Sequence, residues 1–137
     1  MRDIKFRGKR LDNGEWVFGD IWQHNGRVDI VDHRAQSHPV AHETVGQYTG
    51  LRDRDNKEIY EGDILKRDWQ EHSLEDDIGH VSFQDGGFVL HLPGTVGFDE
   101  YLSQYYRGYS ASSGTDFYVI GNIHDNPELL QPQGRRR

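Results

Sequence analysis

The residues best equipped for chemistry are three histidines, His33, His38 and His42, with Asp32 and Glu43 beside them. Imidazole and carboxylate together can hold zinc or iron, and a helical spacing would put His38 and His42 on one face. Pro39 lies between them and opposes a helix. The expectation is therefore a surface loop, with the three histidines kept as weak metal candidates and no cofactor. A second acidic run, Asp53, Asp55, Lys57, Glu58 and Glu61, has the look of a calcium loop. Its register fails, because Lys57 and Glu58 occupy the fifth and sixth positions, where an EF-hand needs an oxygen ligand and glycine. For acid–base catalysis Glu61, Asp63 and His124 are available, but Gly-x-Ser-x-Gly, the Walker pattern and Gly-x-Gly-x-x-Gly are all absent. No catalytic residue is assigned, and binding is favoured over enzymatic activity.

The elements that must position these groups are mostly strands. Ile4 and Phe6 alternate with charged neighbours. Trp16, Phe18 and Trp22 share one face of the next strand, while Val17 and Ile21 share the other. His24-Asn25-Gly26-Arg27 signals a two-residue hairpin loop, and Asp85-Gly86-Gly87 is the turn of another hairpin between His80–Phe83 and Phe88–Leu92. Phe98, Tyr101, Leu102 and Tyr105 fall at helical spacing, with Arg107-Gly108 closing the segment. Phe117 to Ile123 is a last strand, and Asn126-Pro127-Glu128 starts a helical turn with Asn126 as its cap. Between these lies YTGLRDRDNKEIYEGDIL, residues 48–65, dense in charge and turn chemistry. Gly50 and Gly62 let the chain turn sharply, Asp63 is placed to accept main-chain N–H groups, and Ile59 and Ile64 are the apolar anchors. Asp53, Asp55 and Asn56 can bond their own backbone in Asx-type turns, and the charges are otherwise expected to face water. Gly86 and Gly87 are the corresponding turn residues of the later hairpin.

The 137 residues suit one domain, residues 1–130, followed by a disordered basic tail over 131–137. Only 34% of the chain is apolar and mean hydropathy is −0.89, yet aromatics reach 12%. So polar a chain builds its core from few, large rings and leaves others exposed, which points to self-association. The net charge of −7 supplies no general attraction for nucleic acid. Basic residues nonetheless gather at Arg2, Lys5, Arg7, Lys9 and Arg10, and again at Arg135–Arg137. There is no cysteine, which excludes disulfides and thiolate chemistry, and no apolar run of membrane-spanning or signal-peptide length.

Four blocks in order, MRDIKFRGKR, YTGLRDRDNKEIYEGDIL, GHVSFQDGGFVL and YVIGNIHDNPELL, resemble the YopX-like proteins of phages and prophages. The resemblance spans Met1 to Leu130 and implies an SH3-like β-barrel or roll, to which the residue pattern adds an extra N-terminal hairpin and a short helical insertion. It implies a phage-derived protein in a bacterial cytoplasm, and it carries over no catalytic residue. The expected role is a non-catalytic, self-associating binding module. Its surface would be Phe6, Arg7, Trp16 and Trp22 with Tyr101, Tyr105, Tyr106 and Tyr109. The partner would be a second copy or a host or phage protein, with nucleic acid ranked behind and no membrane. A metal-dependent enzyme using His33, His38 and His42 is the other alternative.

Overall fold

The computed structural model describes residues 3–67, 78–92, 100–105 and 117–131. The chain divides into two compact units, Met1–Gly50 and Leu51–Arg137. In the first, strands β1 (Phe6–Lys9), β2 (Trp16–His24), β3 (Arg27–Val31), β4 (Ser37–Pro39) and the start of β5 (Gly46–Arg52) form an antiparallel sheet. Its order is β4-β3-β2-β1-β5. The β2–β3 turn has Asn25 at φ 49° and Gly26 at φ 76°, the mirror-image geometry that matches the twist of its strands. One face of this sheet is the core: Val28, Ile30 and Val40, with Phe6, Val17, Ile21 and Val45 against them. Period-2 alternation explains the set, since Ile21 pairs with Ile30 and Val17 with Gly8 in register.

The second unit begins within β5. Strand β6 (Glu58–Tyr60) neighbours β5, and Asp53 holds the connection. This carboxylate is 2% exposed; Oδ1 accepts the N–H groups of Asp55 and Lys57, and Oδ2 that of Val119. Asp63 is buried too, and its Oδ2 accepts the Tyr60 N–H at 2.7 Å. Thus Asp53 is an internal clamp where the segment's charges are expected to face water, Asp63 accepts a main-chain N–H as its place after Gly62 predicts, and Ile59 and Ile64 are fully buried. A five-stranded antiparallel sheet follows, from β7 (Asp63–Arg67), β8 (Ile78–Gln84), β9 (Gly87–His91), β10 (Glu100–Tyr101) and β11 (Phe117–Asn122), in the order β10-β9-β8-β7-β11. Its core is Ile59, Leu65, Val81, Leu90, Leu102 and Phe117.

The protein is mainly β, as the alternation predicts, but among the described residues the sheets are open and neither closes into a barrel. The expected helix at Phe98–Tyr105 is not formed among the described residues. Glu100 and Tyr101 pair with Leu90 and Val89 as a strand, and Leu102–Tyr105 is a 3-10 turn. Docking decides this. Leu102 enters the core, and the Tyr101 ring lies over Gly87, where a Cβ would sit 2.6 Å from the ring, while its hydroxyl donates to the Asp85 carbonyl. Gly87 is therefore the first residue of β9 and the turn itself is Asp85-Gly86, both at positive φ. Asn126 precedes the 3-10 turn Pro127–Leu130 without capping it; its Oδ1 accepts the Asn122 N–H instead. The segments 68–77, 93–99, 106–116 and 132–137, including Phe98, Tyr106, Tyr109 and most of the basic tail, lie outside the described residues.

Candidate binding face

The face of the N-terminal sheet opposite its core is aromatic and charged. On β2 it presents Trp16, Phe18, Asp20, Trp22 and His24; on β1, Arg7 lies opposite Phe18 and Lys9 opposite Trp16. The Arg7 guanidinium is 4.6 Å from the Trp16 ring centroid and the Lys9 ammonium 5.7 Å, so two cations flank one indole. Lys5 sits over Tyr48 at 5.3 Å. Arg7 is buried by this packing, whereas Phe18 remains 45% and Trp22 50% exposed. Trp22 stacks on His24 at 3.8 Å and stays half-exposed.

Beneath His24 is a buried carboxylate, Asp29, 1% exposed. Arg27 grips it with two hydrogen bonds (3.1 and 3.3 Å), the Ser37 hydroxyl donates to it, and His24 Nε2 lies 3.4 Å away. The Arg27 fork, then Ser37, hold this carboxyl at about 2, against 3.8 for an ordinary aspartate. Asp32 is likewise held at about 2, by His38 at 2.8 Å and by the N–H groups of Gln36 and Arg34. Both groups titrate lower folded than unfolded, so the stability they confer is complete above the ordinary value of 3.8. It is lost as pH falls toward about 2. Melting temperature should fall steeply over that window, and Asp29→Asn should flatten the profile; an unchanged slope in the variant would refute the assignment to Asp29.

Beside Phe18 the sheet carries a cavity of about 550 Å³ lined by Asp3, Ile4, Lys5, Gly19, Asp20, Val31, Asp32 and His33 as well. The structure thus brings Arg7, Trp16 and Trp22 to one face and sends Phe6 to the other, into the core. Tyr101 belongs to the second unit, and Tyr105 to its 3-10 turn. The histidines separate: His33 lines the cavity, His38 is on β4 and bonded to Asp32, and His42 opens a 3-10 turn. Among the described residues no group of three or more His, Asp or Glu is arranged to hold a metal ion. Sequence reasoning passed over Asp20, His24 and Asp29, although the same period-2 alternation places them with Trp22. It also missed a contact across β8–β9, where Ser82 Oγ and His91 Nε2 are 2.7 Å apart and His91 stacks on His80. A serine–histidine contact alone makes no acyl-transfer site, which also needs oxyanion donors and room for a substrate.

The description YopX protein matches residues 5–131. The chain belongs to the YopX family. Membership covers both units and every strand described above. No curated protein matches the sequence significantly. Among solved structures, this YopX-family chain is similar to the crystal structure of protein EF1440 from Enterococcus faecalis. The identity is 23% over 96% of this chain and 100% of that one, with a TM-score of 0.52. At that identity the likeness speaks to the fold. No described helix is long and apolar enough to cross a membrane.

Proposed function

We propose that this YopX-family chain is a phage-type accessory protein of the bacterial cytoplasm that acts by binding polypeptides, a second copy of itself among them, and not by catalysis. The carrying observation is the pair of half-exposed rings, Phe18 and Trp22, on a sheet face whose opposite side is already a core. Large apolar rings held on a rigid sheet and left in water are what a protein interface buries. Single-stranded nucleic acid is the rival, since Arg7 and Lys9 flank Trp16. Those cations are already drawn onto the indole, however, and Asp20 stands between the two exposed rings, where it would repel a phosphate chain. We also retain as proposals an SH3-like roll for the second unit and a single cooperative domain over residues 1–130; β5, which runs through the unit boundary, supports the latter.

Light scattering after size exclusion provides the test. The wild type should gain mass with concentration, and a Phe18→Ser, Trp22→Ser double variant should stay monomeric with its melting temperature nearly unchanged. A wild type that is monomeric at high micromolar concentration would rule out self-association. Phosphate-driven binding would instead show as a gel shift that collapses with salt.

A further inference from the structure

The cavity beside Phe18 gives this face a chemical preference. Its lining combines apolar Ile4, Phe18 and Val31 with acidic Asp3, Asp20 and Asp32. Three carboxylates against the single Lys5 ammonium give the lining an acidic balance. The Lys5 ammonium lies over the Tyr48 ring, so its charge is partly engaged there. Asp32 is locked by the N–H groups of Arg34 and Gln36 and by His38, which fixes a permanent negative charge at the cavity edge. Asp20 is exposed on β2, two residues from half-exposed Phe18 and on the same strand face, so a carboxylate and an aromatic ring share that face.

One common group matches that pairing. A guanidinium is planar, weakly hydrated for a cation, stacks on an aromatic face and accepts a carboxylate along its edge. An anion would meet net repulsion, and a purely apolar group would desolvate three carboxylates without compensation. The volume lies within the range of ligand pockets, ample for one long side chain and part of its backbone. Resting on the binding role proposed above, we infer that this cavity receives an arginine side chain of the docked polypeptide, stacked on Phe18 and paired with Asp20, while Trp22 covers an apolar neighbour.

The probe is acetyl-Leu-Arg-Leu-amide, titrated calorimetrically into the full chain beside its citrulline counterpart, which keeps the planar shape and loses the charge. The arginine peptide should bind about tenfold tighter or better, with affinity falling as salt rises. Asp20→Asn should reduce that preference to near parity without moving the melting temperature, because Asp20 is exposed, and Phe18→Leu should weaken both peptides while keeping an apolar wall. Equal affinities for the two peptides, no binding of either, or an Asp20→Asn variant that still prefers arginine would each overturn the inference. The outcome is separable from the self-association test. Association lost on Phe18→Ser, Trp22→Ser with no arginine preference sinks only the pocket, whereas arginine preference in a strictly monomeric protein sinks only self-association.

Discussion

Replacing Asp53 with alanine should unfold most of the protein at physiological temperature. The carboxylate is 2% exposed and accepts three main-chain N–H groups at 2.8–2.9 Å, from Asp55, Lys57 and Val119. The first two close the β5–β6 connection. The third reaches sixty-six residues along the chain to β11. Alanine would strand all three donors in a site with little access to water, and a single buried donor left unpaired costs roughly 1–3 kcal/mol. The sum, about 3–5 kcal/mol after relaxation, approaches the whole stability of a small domain. Asp53→Asn separates charge from connectivity. Its one carbonyl oxygen can serve Asp55 and Lys57, but the amide would point N–H against the N–H of Val119. It should therefore lose about half as much stability, with the loss concentrated in the closing of β11. Thermal melts of both variants, with amide exchange at Val119, decide the matter. An alanine variant melting within a few degrees of wild type would show that the clamp is dispensable.

Gly19→Ala should be the second severe change, for a steric reason. A Cβ built on Gly19 falls 1.9 Å from the Val31 carbonyl oxygen and 2.8 Å from its carbon. Neither is the yielding tip of a side chain; both are backbone of the neighbouring strand. β2 and β3 would have to part where Asp20 pairs with Val31, next to the Ile21–Ile30 pair that carries the first core. Overpacking of that kind costs about 3 kcal/mol, and the cavity beside Phe18 would be reshaped along with it. Gly26→Ala is the matched control. Gly26 has φ 76° but nothing within 4 Å of a new Cβ, so only backbone strain of about 1 kcal/mol is expected. Urea melts showing equal losses at the two glycines would refute the steric explanation.

These two positions show different degrees of legibility. Gly26 announces itself, because Asn-Gly between alternating strands has one favoured geometry. Nothing local announces Gly19, whose need for a bare Cα comes from a carbonyl on the strand that follows. Likewise Asp63, adjacent to Gly62 and Tyr60, has its role written in a few neighbouring residues. Asp53's two nearby partners fit the Asx-type turn its residue type allows, but its third, on β11, leaves no local sign. The Phe98–Tyr105 stretch misled for the same cause: its helical spacing is real, yet Leu102 gains a core and Tyr101 gains the bare surface of Gly87 only by pairing with β9. Burial outweighed periodicity there.

The sequence by itself determined the β class, the hairpin at Asn25-Gly26, the existence of a second hairpin near Asp85–Gly87, the family, and the shared face of Trp16, Phe18 and Trp22. All follow from period-2 alternation, from residues that tolerate positive φ, or from ordered blocks of residues. Tertiary structure alone decided that Phe6 turns inward, that His33, His38 and His42 part company, that Asp53 reaches across to β11, and that Asp20 shares a cavity with Phe18. Each of those depends on contacts between residues distant along the chain, whose free energy is set by which atoms meet and what water is excluded, quantities that no local pattern encodes.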